Sequence, residues 1–145
     1  MRRHSVGPDG PERLARIPLF ADLSPAQRNM LARLVDEVAA AAGETIMAEG
    51  GPGYEFMILE QGAARVLQGG EEINTMGPGD FFGELAVLGD GAARSASVIA
   101  TSDARGLVFT ARFTREIRER LPLVRERIDA VAEERLRRDA QRASR

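Results

Sequence analysis

GETIMAEGGPGYEFMILEQGAARVLQGGEEINTMGPGD, residues 43–80, alternates short apolar segments with glycine-bearing turns. The apolar segments are Thr45 to Ala48, Phe56 to Leu59, Ala63 to Leu67 and Glu72 to Met76, and the separators are EGGPG, EQG, GG and GPGD. Segments this short, broken this regularly, read as strands of an antiparallel barrel or sandwich. The pattern resumes with Ala96 to Ala100 and Leu107 to Phe109. Gly77-Pro78-Gly79-Asp80 is a turn by composition, and Tyr54 a loop aromatic.

Outward from this β middle, the texture is helical. Upstream, Ser24 can cap, Pro25 fits a first helical position and Gln27 completes a capping box. Leu31, Leu34, Val35 and Val38 follow at helical spacing, and periodicity alone carries that helix to Ala42, closed by Gly43. A short amphipathic piece, Glu12 to Arg16, precedes it, and residues 1–11 read as a flexible tail. Downstream, residues 111–121 form one helix and Pro122 starts a second. On the second, Val124, Ile128, Val131 or Ala132, and Leu136 share a face. That stripe packs on the β middle or forms a two-helix dimer seam. Residues 137–145 read as a polar tail, leaving one domain over residues 12–136.

Composition narrows the function. The chain has 145 residues with 43 % hydrophobic and 29 % charged, enough for one domain with a core that needs no disulfide or metal. There is no Cys and no Lys; the only histidine is His4. These absences exclude a thiol nucleophile, a Walker A loop, a Schiff-base lysine, a Ser-His-Asp triad and a multi-histidine metal centre. Carboxylate-only catalysis is the one enzymatic route left open. A net charge of -2 argues against a nucleic-acid partner bound through bulk charge. No apolar run reaches the roughly 18 residues of a membrane span, and the start lacks a signal peptide's apolar stretch, so a cytoplasmic location is expected.

FFGELAVLGDGAARSASV, residues 81–98, interrupts the strand pattern. Gly83 stands where the chain can turn sharply or approach a ligand. Glu84 to Leu88 can make one helical turn whose N–H groups face an anion. Ten residues after Glu84 comes Arg94, then Ser95. A guanidinium and amide donors suit a phosphodiester, and a fixed carboxylate suits a sugar hydroxyl. A cyclic nucleotide offers both on adjacent atoms, with a flat base for an apolar wall. Two or three charge-assisted bonds with base burial would give micromolar affinity, about 8 kcal/mol.

The segment resembles the phosphate-binding cassette of cyclic-nucleotide-binding domains, found in bacterial catabolite activator proteins, regulatory subunits of cAMP-dependent kinases and nucleotide-gated channels. The matching residues are Phe82-Gly83-Glu84-Leu85-Ala86 and Arg94-Ser95-Ala96-Ser97. The resemblance extends to Gly43-Glu44-Thr45-Ile46, Glu49-Gly50, Phe56-Met57-Ile58-Leu59, Gly62 and Gly77-Pro78-Gly79-Asp80. It implies an α+β, mainly β, fold: an antiparallel β jelly-roll barrel flanked by N- and C-terminal helices. It also implies that Val38 to Ala41 is the first strand and that the preceding helix ends earlier. By resemblance Glu84 accepts from the ribose 2′-hydroxyl. Arg94 pairs with the cyclic phosphate, helped by Ser95 and by backbone amides around Gly83, Glu84, Leu85 and Ala86 and at Ala96. Val66, Ile73 and Phe82 flank the sugar or base. The expected ligand is cAMP, with cGMP as the alternative, since Ser95 is compatible with both, and no cofactor is implied.

The chain departs from the family at Ala93, where many members have Pro although the bacterial activators also lack it, and at Tyr54 and Met57, where Asp and Tyr are frequent and which lie outside the expected phosphate cradle. The expected function is a regulatory sensor that closes its C-terminal helix over the ligand and signals to an effector protein or domain outside this chain. A homodimer through that helix is a further expectation. The competing readings are a ligand-free scaffold of the same fold, a cupin-like enzyme lacking its histidines, and a DNA-binding regulator lacking its reader.

Overall fold

The computed structural model describes residues 1–50, 55–83 and 96–143. In order, the elements are β1 (Arg2–Ser5), α1 (Gly10–Ala15), α2 (Pro25–Leu31), β2 (Val35–Ala40), β3 (Thr45–Met47), β4 (Phe56–Gln61), β5 (Ala64–Gln68), β6 (Glu71–Met76), β7 (Phe81–Phe82), β8 (Ser97–Ala100), β9 (Ala104–Phe109), α3 (Ala111–Arg120) and α4 (Pro122–Ala143). Short 3-10 turns cover Pro18–Phe20 and Ala32–Leu34. Among the described residues the strands form two antiparallel sheets, ordered β1-β2-β9-β4-β7 and β3-β8-β5-β6. This is the mainly β architecture expected, arranged as two sheets around a shared interior.

The apolar run Phe56-Met57-Ile58-Leu59 shows why the larger sheet sits centrally. Phe56 and Ile58 face an outer cluster with the helices, while Met57 and Leu59 face an inner cluster between the sheets. An unbroken apolar run marks a strand buried on both faces, since successive side chains point in opposite directions. In β9 the same division puts Leu107 and Phe109 outward and Val108 inward. Phe109 stacks on Phe56 at 4.5 Å between ring centroids and meets Phe113 of α3 edge-on at 4.7 Å. Each such pair adds about 0.5–1.5 kcal/mol beyond burial. Thr110 fixes the entry of α3: its hydroxyl donates to the Leu34 carbonyl at 2.9 Å and accepts from the Phe113 N–H.

The capping box forms as read. Ser24 accepts from the Gln27 N–H at 3.1 Å, and the Gln27 side chain accepts from the Ser24 N–H at 2.9 Å. The helix it starts is shorter than periodicity implied: α2 stops at Leu31, and Val35–Ala40 is strand. β9 supplies the cause. It offers Val35–Ala40 a full ladder, from Val35↔Phe109 to Ala40↔Ala104. The strand therefore also starts three residues before the Val38 implied by resemblance.

Both ends are more ordered than the composition indicated. Residues 2–5, inside the expected flexible tail, pair with β2 in the register Arg2↔Ala39 to Ser5↔Asp36. All four are exposed, so the strand carries no apolar signature. It is held by its ladder and by Arg3, which donates to Asp36 at 2.8 Å and to Glu55 at 3.1 and 2.5 Å. At the other end α4 continues through the expected polar tail to Ala143. Arginine, glutamate and alanine favour helix whether or not a face is buried. Among the described residues, no helix is long and apolar enough to cross a membrane.

Candidate functional site

The inner cluster holds the described apolar residues of the expected site. Val66, on β5, is 5 % exposed and lies opposite Asn74 of β6 and Val98 of β8. Ile73 of β6 and Phe82 of β7 are partly buried and pack against the same cluster, and Ala96 is 2 % exposed within it. Four residues spread over positions 66–96 of the sequence are thus brought together between the sheets.

The turn Gly77-Pro78-Gly79-Asp80 positions β7. Asp80 accepts from the Gly77 N–H through its carboxylate at 2.8 Å, closing the turn. Leu59 donates to the Asp80 carbonyl at 2.9 Å and accepts from the Gly79 N–H at 2.8 Å, fastening the turn to β4. Phe81 and Phe82 then pair with Ile58 and Met57. Gly83 follows with φ +86°, in the left-handed region where a Cβ is unfavourable. The chain leaves the larger sheet at Gly83 and re-enters at Ala96, just before β8 in the smaller sheet. The segment between joins the two sheets. Glu84, Leu85, Ala86, Arg94 and Ser95 all fall in it and lie outside the described residues, as does Tyr54.

Sequence reasoning passed over Glu49. Its N–H donates to the Ser97 hydroxyl at 2.8 Å, and its carboxylate accepts from the Gly69 N–H at 3.0 Å. The only advance signal was the Glu49-Gly50 pair itself.

The C-terminal helix lies apart from these residues. Val124 and Ile128 are buried in the outer cluster with Leu14, Ile17, Leu19 and Phe20. The side chains of Ala132 and Leu136, the far end of the expected stripe, are outside the described residues. Arg127 donates to the carbonyls of Pro18 at 3.4 Å and Leu19 at 3.1 Å and pairs with Asp22.

A cavity of about 580 Å³ opens on the other face of the larger sheet, beside α1. Arg13, Glu37, Glu60 and Arg105 on its wall pair with one another. The bond to Glu60, opposed by desolvation, holds the Arg13 guanidinium above its usual pKa. Those charges answer one another, and among the described residues none of the expected ligand residues lines the cavity. Among the described residues, no group of three or more His, Cys, Asp or Glu is placed to hold a metal ion.

Comparison with known proteins gives concordant results. The pattern of the family described as "Cyclic nucleotide-binding domain" matches residues 37–120. A cAMP-dependent protein kinase regulatory subunit of Hypocrea atroviridis is 42 % identical over 92 residues, covering 63 % of this chain and 20 % of that protein. The corresponding subunit of Aspergillus niger is 40 % identical over 94 residues, 63 % of this chain and 23 % of that one. The chain spans between a fifth and a quarter of these relatives' lengths. Among solved structures, the catabolite activator protein of Thermus thermophilus aligns with TM-score 0.72 and 29 % identity over 88 % of this chain and 62 % of that one. The structure described as cAMP-bound PfPKA-R aligns with TM-score 0.78 over 92 % of this chain and 46 % of that one; at 23 % identity it speaks to the fold alone.

Proposed function

This chain belongs to the cyclic nucleotide-binding domain family, and from that premise we propose that it is a sensor that binds cAMP, performs no chemistry itself and passes the bound state to a separate effector. In this reading Glu84 accepts from the ribose 2′-hydroxyl. Arg94 pairs with the cyclic phosphate, with Ser95 and the amides of Gly83, Glu84, Leu85, Ala86 and Ala96 as further donors. Val66, Ile73 and Phe82 wall the sugar and base. The observation that carries the reading is the course of the chain at Gly83: it enters the Glu84–Arg94 segment in a left-handed turn beside Phe82, in the cluster that holds Val66 and Ile73. Preference for cAMP over cGMP is supported by the relatives, which are named as cAMP-dependent kinase subunits.

The strand orders β2-β9-β4-β7 and β3-β8-β5-β6 support the finer description of the sheets as a jelly roll. Signalling follows from a population shift: the ligand binds better to a form in which α4 has moved to cover the base. The effector is another chain or domain, α4 is the proposed seam of a homodimer, and the proposed location is the cytoplasm. No cofactor is required.

Calorimetric titration of cAMP and cGMP against the wild type and Arg94→Gln tests the reading. The wild type is expected to bind cAMP in the micromolar range, and the variant roughly tenfold or more weakly, through loss of one charge-assisted contact. Unchanged affinity in the variant removes Arg94 from the phosphate. No binding of either nucleotide favours the ligand-free scaffold.

A further inference from the structure

We propose that Glu49 is a positioning residue for the ligand site, a clamp that fixes the strand leaving the phosphate segment against the hairpin that walls the base. This rests on the cyclic-nucleotide reading and adds to it a residue that touches no ligand. Its main-chain N–H donates to the Ser97 hydroxyl at 2.8 Å, three residues past Arg94 at the first position of β8. Its carboxylate accepts from the N–H of Gly69 at 3.0 Å. Gly69 and Gly70, with φ +59° and +82°, form the two-residue turn of the β5–β6 hairpin that carries Val66 and Ile73. A turn with both central residues at positive φ leaves its first N–H pointing away from the ladder, and the Glu49 carboxylate meets it there.

One residue therefore bonds to two segments that a nucleotide must contact together. Ser97 continues the chain that carries the phosphate ligand, and the hairpin carries the wall for the base. β5 and β8 are paired directly, but their ladder ends at Leu67 opposite Ser97, short of the Gly69-Gly70 turn. Glu49 supplies the bond to that turn. A phosphate held by Arg94 and a base lying on Val66 and Ile73 impose a fixed span, and a tie preset to that span leaves less ordering for the ligand to accomplish. The tie acts on bound lifetime more than on encounter, so its loss belongs in the dissociation rate.

The test compares Glu49→Ala, Glu49→Gln and Ser97→Ala, by stopped-flow cAMP binding and by thermal unfolding of the ligand-free proteins. Glu49→Ala removes the bond to the hairpin and is expected to speed cAMP dissociation roughly fivefold, the loss of one hydrogen bond, with the association rate and ligand-free midpoint little changed. Glu49→Gln keeps an oxygen that can accept from Gly69 and is expected to restore the wild-type rate. Ser97→Ala breaks the other half of the clamp and is expected to act in the same direction, less than additively with Glu49→Ala. An unchanged dissociation rate in Glu49→Ala overturns the proposal. So does a Glu49→Gln protein as fast as Glu49→Ala, or an effect that only follows a fall in the ligand-free midpoint. Should Glu49→Ala fail to fold, Glu49→Gln and Ser97→Ala still decide, because the clamp requires them to differ. A wild-type protein that folds but binds no cyclic nucleotide overturns instead the function on which the proposal rests.

Discussion

Replacing Arg127 by alanine separates the stability of the ligand-free form from its affinity for nucleotide. Arg127 ties α4 to the N-terminal 3-10 turn, donating to the carbonyls of Pro18 and Leu19 and pairing with Asp22. The ion pair is open to water, with the two side chains 41 % and 54 % exposed, which limits it to about 0.2–1 kcal/mol. Of the carbonyl contacts, the one to Leu19 at 3.1 Å is a good bond and the one to Pro18 at 3.4 Å is long. Together the three come to roughly 1–2 kcal/mol, a factor of about 5–30 in an equilibrium. In the proposed mechanism α4 leaves this position to cover the base, so these contacts exist only in the ligand-free form. Arg127→Ala should therefore lower the ligand-free thermal midpoint by a few degrees and tighten cAMP binding by up to that factor. Asp22→Asn should reproduce the smaller, ion-pair share. Calorimetry beside thermal unfolding reads both quantities on one preparation. An Arg127→Ala protein that loses stability yet binds cAMP no more tightly would show that α4 stays on the N-terminal turn in the bound state, and the closure mechanism would fall.

Gly83→Ala forces a Cβ into a backbone with φ +86°, at about 1–2 kcal/mol; it is expected to weaken cAMP binding roughly tenfold in the same titration. Gly62→Ala is a stability probe remote from the ligand: a Cβ there would lie 2.3 Å from the Asp103 carbonyl oxygen, at φ +88°, and the urea midpoint should fall by the equivalent of about 3 kcal/mol or more. Glu44 has its carboxyl held below the usual pKa, first by the Met1 amine and next by the Ala41 N–H. A depressed folded-state value means stability present above the unfolded value near 4.5 and lost as pH falls through the lower folded one. Glu44→Gln should therefore lower the urea midpoint slightly at neutral pH, match the wild type in acid below the folded value, and so flatten the acid limb of the series. Phe81→Ala should leave cAMP binding within about threefold while weakening the coupling to α4, seen as loss of any affinity gain when combined with Arg127→Ala.

The parts of the fold legible in the sequence are those decided by short-range chemistry. Ser24 and Gln27 satisfy each other's backbone groups within one turn, and the glycine separators mark where strands end. The Phe56–Leu59 run announces burial on both faces before any partner is known. Val35–Ala40 was misread because Val35 and Val38 satisfy a helical stripe locally, while the ladder that makes them strand comes from β9, some 70 residues away by register. β1 was missed because nothing in Arg2–Ser5 is apolar and its order comes from an edge pairing and the ion pairs of Arg3. The site divides the same way. Gly83 and the residues beside it were legible as a motif, and Val66, Ile73, Phe82 and Ala96 do meet in one cluster. Glu49 was legible only as half of the Glu49-Gly50 pair and not as a clamp, because its partners are a backbone N–H 20 residues ahead and a hydroxyl 48 residues ahead.

The larger sheet explains how a site between the sheets can communicate with helices on the far side. Phe82 packs in the inner cluster with Val66 and Ile73, whereas Phe81, its neighbour, packs on the outer cluster and meets the Phe56 ring edge-on at 6.4 Å. Phe56 stacks on Phe109, and Phe109 meets both Phe113 of α3 and Phe20 of the N-terminal turn. β7 is only two residues long and leads directly into Gly83, so in the proposed mechanism a shift of the segment beyond Gly83 would act on both sides of the sheet. Close packing leaves little room to absorb that shift within the rings, which makes displacement of a helix the available response. Arg127 fastens α4 to the Pro18–Phe20 turn, where this chain of rings ends. The aromatic path and the arginine latch meet there; in the proposed mechanism the first would carry the push from the ligand and the second would set how large that push must be.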